Sequence, residues 1–101
     1  MIDVKLISHG KTLSLSAVGH AEYAPYGSDI VCAGASSVIL GLSAALSGND
    51  VHTEISSGFA LIRCADTRDA RACFRVAQKA LELIAAEYPK NLKLTCNFNV
   101  A

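Results

Sequence analysis

The chain has 101 residues, 51% of them hydrophobic, and its nine Lys and Arg residues balance nine Asp and Glu residues. A chain of this length is expected to form one domain, residues 1–101, with a modest hydrophobic core. Because the basic residues form no cluster, nothing attracts a polyphosphate backbone, and direct nucleic-acid binding is not expected.

The N-terminal residues and the cysteines indicate a cytoplasmic protein. Asp3 and Lys5 interrupt the first apolar residues, so no signal peptide is expected. An uncharged run, residues 30–49, approaches the length of a membrane span, but its glycines, serines and polar flanks favour a helix covered on two sides within a protein or a dimer. The cysteines show no CxxC spacing, which favours reduced thiols over a disulfide framework. They are Cys32, Cys64, Cys73 and Cys96.

Hydrophobic periodicity predicts seven elements in chain order. Alternating apolar and polar residues predict strands at 2–8, 12–19, 51–56, 59–65 and 92–98. Apolar residues at helical spacing predict helices from Ile30 to about Ser47 and from about Asp69 to Glu87. Short turns at 9–11 and 57–58 join neighbouring strands into hairpins. The order ββαββαβ predicts an α+β, two-layer fold with two helices on one face of a mainly antiparallel sheet.

The same patterns predict which side chains face the core. The first helix, uncharged throughout, is predicted to be the central buried helix, with Val31, Ala35, Val38, Leu42 and Ala45 on its core stripe. The second helix has Cys73, Phe74, Ala77, Leu81, Ile84 and Tyr88 on its stripe, and the last strand turns Leu92, Leu94, Cys96 and Phe98 one way. Cys64, Cys73 and Cys96 are therefore interpreted as structural core residues.

Cys32 differs from the other cysteines in its position. If Ser28 or Asp29 caps the first helix, Cys32 lies in the first turn of that helix. The positive end of the helix dipole favours an anion there, so the thiol spends more time as the nucleophilic thiolate. Backbone N–H groups of the same turn could also stabilise an oxyanion.

A nucleophilic cysteine needs a nearby base, and His20 is the candidate. His20 ends the second strand, and the loop that follows returns the chain to Cys32, so the two could face each other across the loop mouth. Alternatively, His20 bonds a loop carbonyl and Cys32 is core. His9 and His52 are interpreted as solvated surface residues. Because no paired spacing supplies further ligands, neither a metal nor another cofactor is expected.

The segment between His20 and Asp29 is a predicted substrate loop. It consists of Ala21, Glu22, Tyr23, Ala24, Pro25, Tyr26, Gly27 and Ser28. Pro25 and Gly27 break regular structure, and Tyr23 and Tyr26 could either pack on a substrate or anchor the loop. Asp29 could cap the helix, orient His20, or do both. Ser36, one turn after Cys32, could hydrogen-bond in the site or back to the helix backbone.

Two separated elements carry a family resemblance. They are Val18-Gly19-His20-Ala21 and, after Gly27, the run Asp29-Ile30-Val31-Cys32-Ala33 followed by Ser36. On these residues the chain resembles the ribosomal-processing cysteine protease family of small bacterial proteins, whose pattern is GHA, a short loop, and G-x-D-I-V-C-A followed by a serine. Similarity in element order extends over essentially the whole chain. Gly34 departs from the pattern, since a second Ala is common there.

The resemblance implies a cysteine endopeptidase with Cys32 as nucleophile, His20 as general base, and Asp29 and Ser36 near the site. It implies removal of a short N-terminal extension from a bacterial large-subunit ribosomal protein, number twenty-seven of its series, by cleavage after an aromatic residue. It also implies a homodimer, and a flexible loop 21–28 that closes over the substrate.

Two other functions are compatible with these residues. A non-enzymatic dimeric module could hold a ribosomal or other peptide in the same groove, and it would bind without turnover. A redox-sensing thiol at Cys32 would need a resolving cysteine, and the patterns place Cys64, Cys73 and Cys96 inside.

Overall fold

The structure, a computed structural model, describes residues 1–46, 48 and 50–97. Its elements are β1 (Ile2–His9), β2 (Thr12–Val18), α1 (Ile30–Ala45), β3 (His52–Ser56), β4 (Phe59–Ala65), α2 (Arg68–Glu87) and β5 (Leu92–Asn97). The predicted order ββαββαβ is confirmed. The predicted helix end at Ser47 and the inward-facing Phe98 lie outside the described residues.

The strands form one sheet in the order β3-β4-β2-β1-β5. Every neighbouring pair is antiparallel except β1 and β5, which are parallel. The α2 crossover makes this parallel pair possible, because parallel neighbours need a long connection. The sheet is therefore mixed and mainly antiparallel, as predicted.

Alternate residues of the strands build one apolar layer of the core. Leu6 pairs with Leu15, and Leu15 pairs with Ile62, so a continuous apolar row crosses three strands. All three side chains are fully buried. Residues between them, such as Ser14 and Ser16, point to the other face and are only half-buried. One face of the sheet is thus reserved for the two helices.

Each helix contributes one face to this core. In α2 the buried residues are Ala70, Phe74, Ala77 and Leu81, close to the predicted stripe, and Thr67 caps the helix. In α1 they are Val31, Ala35, Ile39 and Leu42. The α1 stripe was predicted with one error of phase. Ile39 is buried, whereas Val38 is half-buried beside α2 and Ala45 is exposed.

The prediction of a centrally buried α1 is wrong for the single chain. Ile30 and Leu40 on its outer side are 58% and 53% exposed. The sheet and α2 cover one side of α1, and no further layer formed by the described residues covers the opposite side.

The cysteines predicted to be structural occupy different environments. Cys64 is buried and Cys73 is half-buried, but Cys96 is exposed, so the prediction for Cys96 is wrong. Cys96 lies on the edge strand β5, where Glu82 and Lys79 of α2 are its charged neighbours. In the ranges that the structure describes, no helix is long and apolar enough to cross a membrane.

Candidate active site

Cys32 lies in the first turn of α1, as its spacing predicted. The helix begins at Ile30 with Asp29 as its N-cap, in extended backbone geometry. The thiol is free and half-buried. The thiol therefore lies at the N-terminal end of the helix, beside the residue that caps it.

Asp29, rather than Ser28, caps the helix, and its carboxylate also binds the loop. Its Oδ1 accepts the N–H groups of Val31 and Cys32 at 3.0 and 2.9 Å. Its Oδ2 accepts the N–H groups of Tyr23 and Ala24 at 2.9 and 3.3 Å. One carboxylate thus fastens the loop to the start of the helix. Within residues 1–46, 48 and 50–97, no hydrogen bond joins Asp29 to His20.

These bonds correct the expected source of an oxyanion hole. The N–H groups of Val31 and Cys32 are held by the Asp29 carboxylate, and the N–H of Ala33 donates to the Asp29 carbonyl at 3.0 Å. In this conformation, therefore, none of the three is available to a substrate. The sequence places these groups in the first turn but does not show that the capping side chain occupies them.

The pKa of the Asp29 carboxyl reflects the same contacts. Partial burial acts to raise the pKa, but the N–H donors of Cys32, Tyr23, Ala24 and Val31 together outweigh it and hold the pKa below the usual 3.8. The contribution of this carboxylate to stability is therefore complete above the ordinary carboxyl pKa. It is lost as the pH falls through the lower folded value.

His20 lies two residues after the end of β2 and is exposed. The chain enters it from Gly19, whose backbone has φ +102° and where a Cβ would overlap the carbonyl oxygen of Met1. A glycine is needed there for both reasons. The imidazole edge that carries Nε2 lies against Gly58 in the β3–β4 turn.

Two cavities meet at Cys32 and His20, which line both of them. The first has a volume of about 120 Å³ and lies between α1 and the β3–β4 hairpin. Its walls are mostly apolar and include Ile39, Leu40, Ile55 and Phe59, with Ser36 and Gly58 beside them. The second has a volume of about 460 Å³ and lies under the loop, lined by Ala21, Glu22, Ala24, Tyr26, Gly27, Asp29 and Ala33. The structure thus brings the predicted thiol and imidazole to one place.

The predicted substrate loop is held in place at its first residues and is exposed to solvent around Tyr26. Ala21 is buried, and its carbonyl accepts a hydrogen bond from Asn91 Nδ2 at 2.9 Å. The ring of Tyr23 packs edge-on against Tyr88, with centroids 5.2 Å apart, so Tyr23 anchors the loop. Tyr26 is fully exposed beside the second cavity, in the turn closed by Ser28 N–H and the Pro25 carbonyl.

Ser36 and the other two histidines lie in exposed positions. Ser36 is exposed and lines the first cavity one turn beyond Cys32. A backbone bond of the kind considered for Ser36 is made by its neighbour Ser37, whose hydroxyl donates to the carbonyl of Ala33. His9 and His52 are exposed, and His52 lies 3.3 Å from Glu54. In the part of the chain that the structure describes, no group of three or more His, Cys, Asp and Glu side chains could hold a metal ion.

Sequence reasoning missed the contributions of Gly58, Tyr88 and Asn91 to this site. All three lie in connections far along the chain from the loop, and folding of the sheet brings them near it. The Ser57-Gly58 pair was recognised as a turn, but no local signal shows which side chain lies over that turn.

A half-buried thiol at a helix start, with an imidazole lining the same cavities, is typical of the active site of a cysteine hydrolase. The family model described as cysteine protease Prp matches residues 1–93. The ribosomal processing cysteine protease Prp of Staphylococcus aureus (strain Mu50) is 33% identical over 100 residues, covering 92% of this chain and 94% of that protein. The chain therefore belongs to the Prp family, and it is a cysteine protease.

Solved structures agree with this assignment. The fold is similar to that of S. aureus Prp in complex with a covalently linked product peptide, with a TM-score of 0.85 and 28% identity over 96% of this chain and 100% of that one. It is also similar to S. aureus Prp in complex with a substrate peptide, with a TM-score of 0.79 and the same identity and coverage. The α+β architecture is thus that of the family.

Proposed function

We propose that this protease, a single domain of residues 1–101, removes the short N-terminal extension of a bacterial large-subunit ribosomal protein, number twenty-seven of its series. Cleavage follows an aromatic residue and takes place in the cytoplasm during ribosome maturation. The S. aureus relative is a ribosomal processing protease, and its structures hold peptides. The observation that carries the proposal is that Cys32 and His20 together line both cavities.

In the proposed mechanism Cys32 is the nucleophile and His20 the general base. His20 takes the thiol proton, and the sulfur attacks the scissile carbonyl carbon to form a tetrahedral oxyanion. The C–N bond then breaks, and His20 returns the proton to the leaving amine. Water, deprotonated by His20, hydrolyses the resulting thioester and regenerates the thiol.

The apolar cavity supports the proposed aromatic specificity. An engineered apolar cavity of roughly 150 Å³ in another protein binds benzene. The cavity of about 120 Å³ beside Cys32 is of similar size, opens to solvent, and presents Ile39, Leu40, Ile55 and Phe59. It therefore suits the aromatic side chain next to the scissile bond. The larger cavity under the loop suits the neighbouring residues of the peptide, with exposed Tyr26 available to pack on them.

We further propose that the protein acts as a homodimer. An apolar groove of about 350 Å³ runs between the outer sides of α1 and α2. Val76 in this groove is 71% exposed, and Leu83 further along α2 is 73% exposed. A second copy would remove this apolar surface from water.

The mass of the ribosomal protein provides the test of the proposed function. The ribosomal protein is produced alone, together with this chain, and together with the Cys32→Ala variant, and its mass is measured in each case. The proposal expects a mass loss equal to the N-terminal extension with the wild-type chain and none with Cys32→Ala. Cleavage by Cys32→Ala at the wild-type rate would exclude Cys32 as nucleophile, and binding of the peptide without cleavage by the wild-type chain would indicate a binding module.

A further inference from the structure

The β3–β4 turn is in direct contact with the residue that carries the imidazole. Gly58 has a left-handed backbone, with φ +72°, and a Cβ at this position would lie 2.8 Å from His20 Nε2, 3.2 Å from Cε1 and 3.4 Å from Cδ2. The carbonyl oxygen of Gly58 accepts the N–H of Gly19 at 2.9 Å. The imidazole edge therefore occupies the space that a side chain at position 58 would need.

We propose that Gly58 is a positioning residue for the general base. Its bare Cα provides the surface on which the His20 ring rests, and its carbonyl fixes the backbone one residue before His20. This inference rests on the proposed catalytic role of His20. Because His20 is exposed, few other contacts restrict its side-chain rotamer, and a base must stay within hydrogen-bond reach of the proton it removes.

A methyl group at position 58 should harm catalysis much more than folding. The atoms it would meet are the far end of one side chain rather than backbone. The ring can turn away into solvent at small cost to the fold. A displacement of about 1 Å in a catalytic group can lower the rate roughly 100-fold.

The chain offers a matched control in the other hairpin turn. Gly10 lies between β1 and β2 with φ +60°, and a Cβ there would meet nothing within 4 Å. Gly58→Ala and Gly10→Ala therefore impose the same kind of left-handed strain, but only the first displaces His20. The β1–β2 turn borders neither cavity at Cys32.

The experiment measures Tm, kcat, KM and the pH profile of kcat on a synthetic peptide that spans the proposed cleavage site. We expect similar falls in Tm for both variants. We expect kcat to fall roughly 10- to 100-fold for Gly58→Ala, with KM nearly unchanged and an altered pH profile. Gly10→Ala should retain wild-type kcat and the wild-type pH profile, because its turn borders neither cavity. If left-handed strain alone lowered kcat, both variants would lose activity.

Gly58→Asn provides a second variant, since Asn tolerates the left-handed region but still carries a Cβ. Wild-type kcat in a folded Gly58→Ala or Gly58→Asn protein would overturn the inference. Failure of both to fold would also overturn it, because the contact would then be structural. Cys32→Ala and His20→Ala separate the two hypotheses. If either cleaves normally, the proposed catalytic roles of Cys32 and His20 fail. If both are inactive while Gly58→Ala is active, only the role of Gly58 fails.

Discussion

At the scale of single residues, Asp29 has the most consequential contacts. Its carboxylate is shared between two N–H groups of the helix start and two of the loop. The cap could be predicted, because Asp before an apolar run is a common N-cap. The hydrogen bonds to the loop could not be predicted, because they depend on the path of residues 21–28. Pro25 and Gly27 break regular structure there, so no periodic pattern predicts that path.

Asp29→Asn should release the loop and keep the helix. The amide oxygen can still accept from Val31 and Cys32, but its NH₂ group would face the donors of Tyr23 and Ala24. We expect the amides of Tyr23 and Ala24 to exchange hydrogen at least about tenfold faster, with helix content unchanged by circular dichroism.

Thr67→Ala is the control for Asp29→Asn, since it removes the cap bond to the Ala70 N–H in α2. It should cost about 1 kcal/mol of folding free energy without altering local opening of residues 21–28. Exchange of Tyr23 and Ala24 at wild-type rates in Asp29→Asn would contradict the role of the carboxylate as the fastening of the loop.

At the scale of elements, α1 and the β3–β4 hairpin form the walls of the apolar cavity. Leu40 and Phe59 are 53% and 40% exposed there. Each element could be predicted from its hydrophobic period, but the arrangement of the two on opposite sides of the cavity could not. That arrangement follows from the pairing of β4 with β2, which is a long-range contact.

Leu40→Gln should weaken recognition of the aromatic residue. Loss of an apolar contact in a specificity pocket should lower kcat/KM roughly tenfold, mainly through KM, because the binding contact rather than the base is changed. Steady-state kinetics on peptides with Phe or Ala before the scissile bond would measure the effect, and discrimination between them should shrink.

Leu83→Gln is the matched control, since it makes the same change on an exposed residue of α2 outside both cavities. It should leave that discrimination intact. If Leu40→Gln distinguished the two peptides as well as the wild type does, the aromatic residue would have to bind elsewhere.

At the scale of the whole molecule, the fold has two layers, and the helical layer has an open outer side. The layers could be predicted from the order ββαββαβ. The exposure of Cys96 could not, because an alternating pattern does not show that β5 lies at the sheet edge. Likewise, the uncharged composition of α1 reflects apolar surface that the single chain leaves partly uncovered.

Val76→Glu should convert the proposed dimer to monomers, because burying an unpaired carboxylate in an apolar interface is costly. Analytical ultracentrifugation would measure the mass. Ala86→Glu is the control, as Ala86 is exposed on α2 and does not line the groove. A dimeric Val76→Glu protein at micromolar concentration would show that the groove is not the interface.

The edge position of β3 has a further consequence. All five residues of β3 are exposed, and within the described ranges the strand pairs only with β4. Local opening should therefore begin there, and the turn that supports His20 would loosen while the two helices and the central strands stay intact. A preparation in which β3 is frayed would keep a native far-ultraviolet circular dichroism spectrum, although the His20 imidazole would no longer be held in position. Spectroscopic integrity is consequently a poor measure of the active fraction, which titration of the site would count directly.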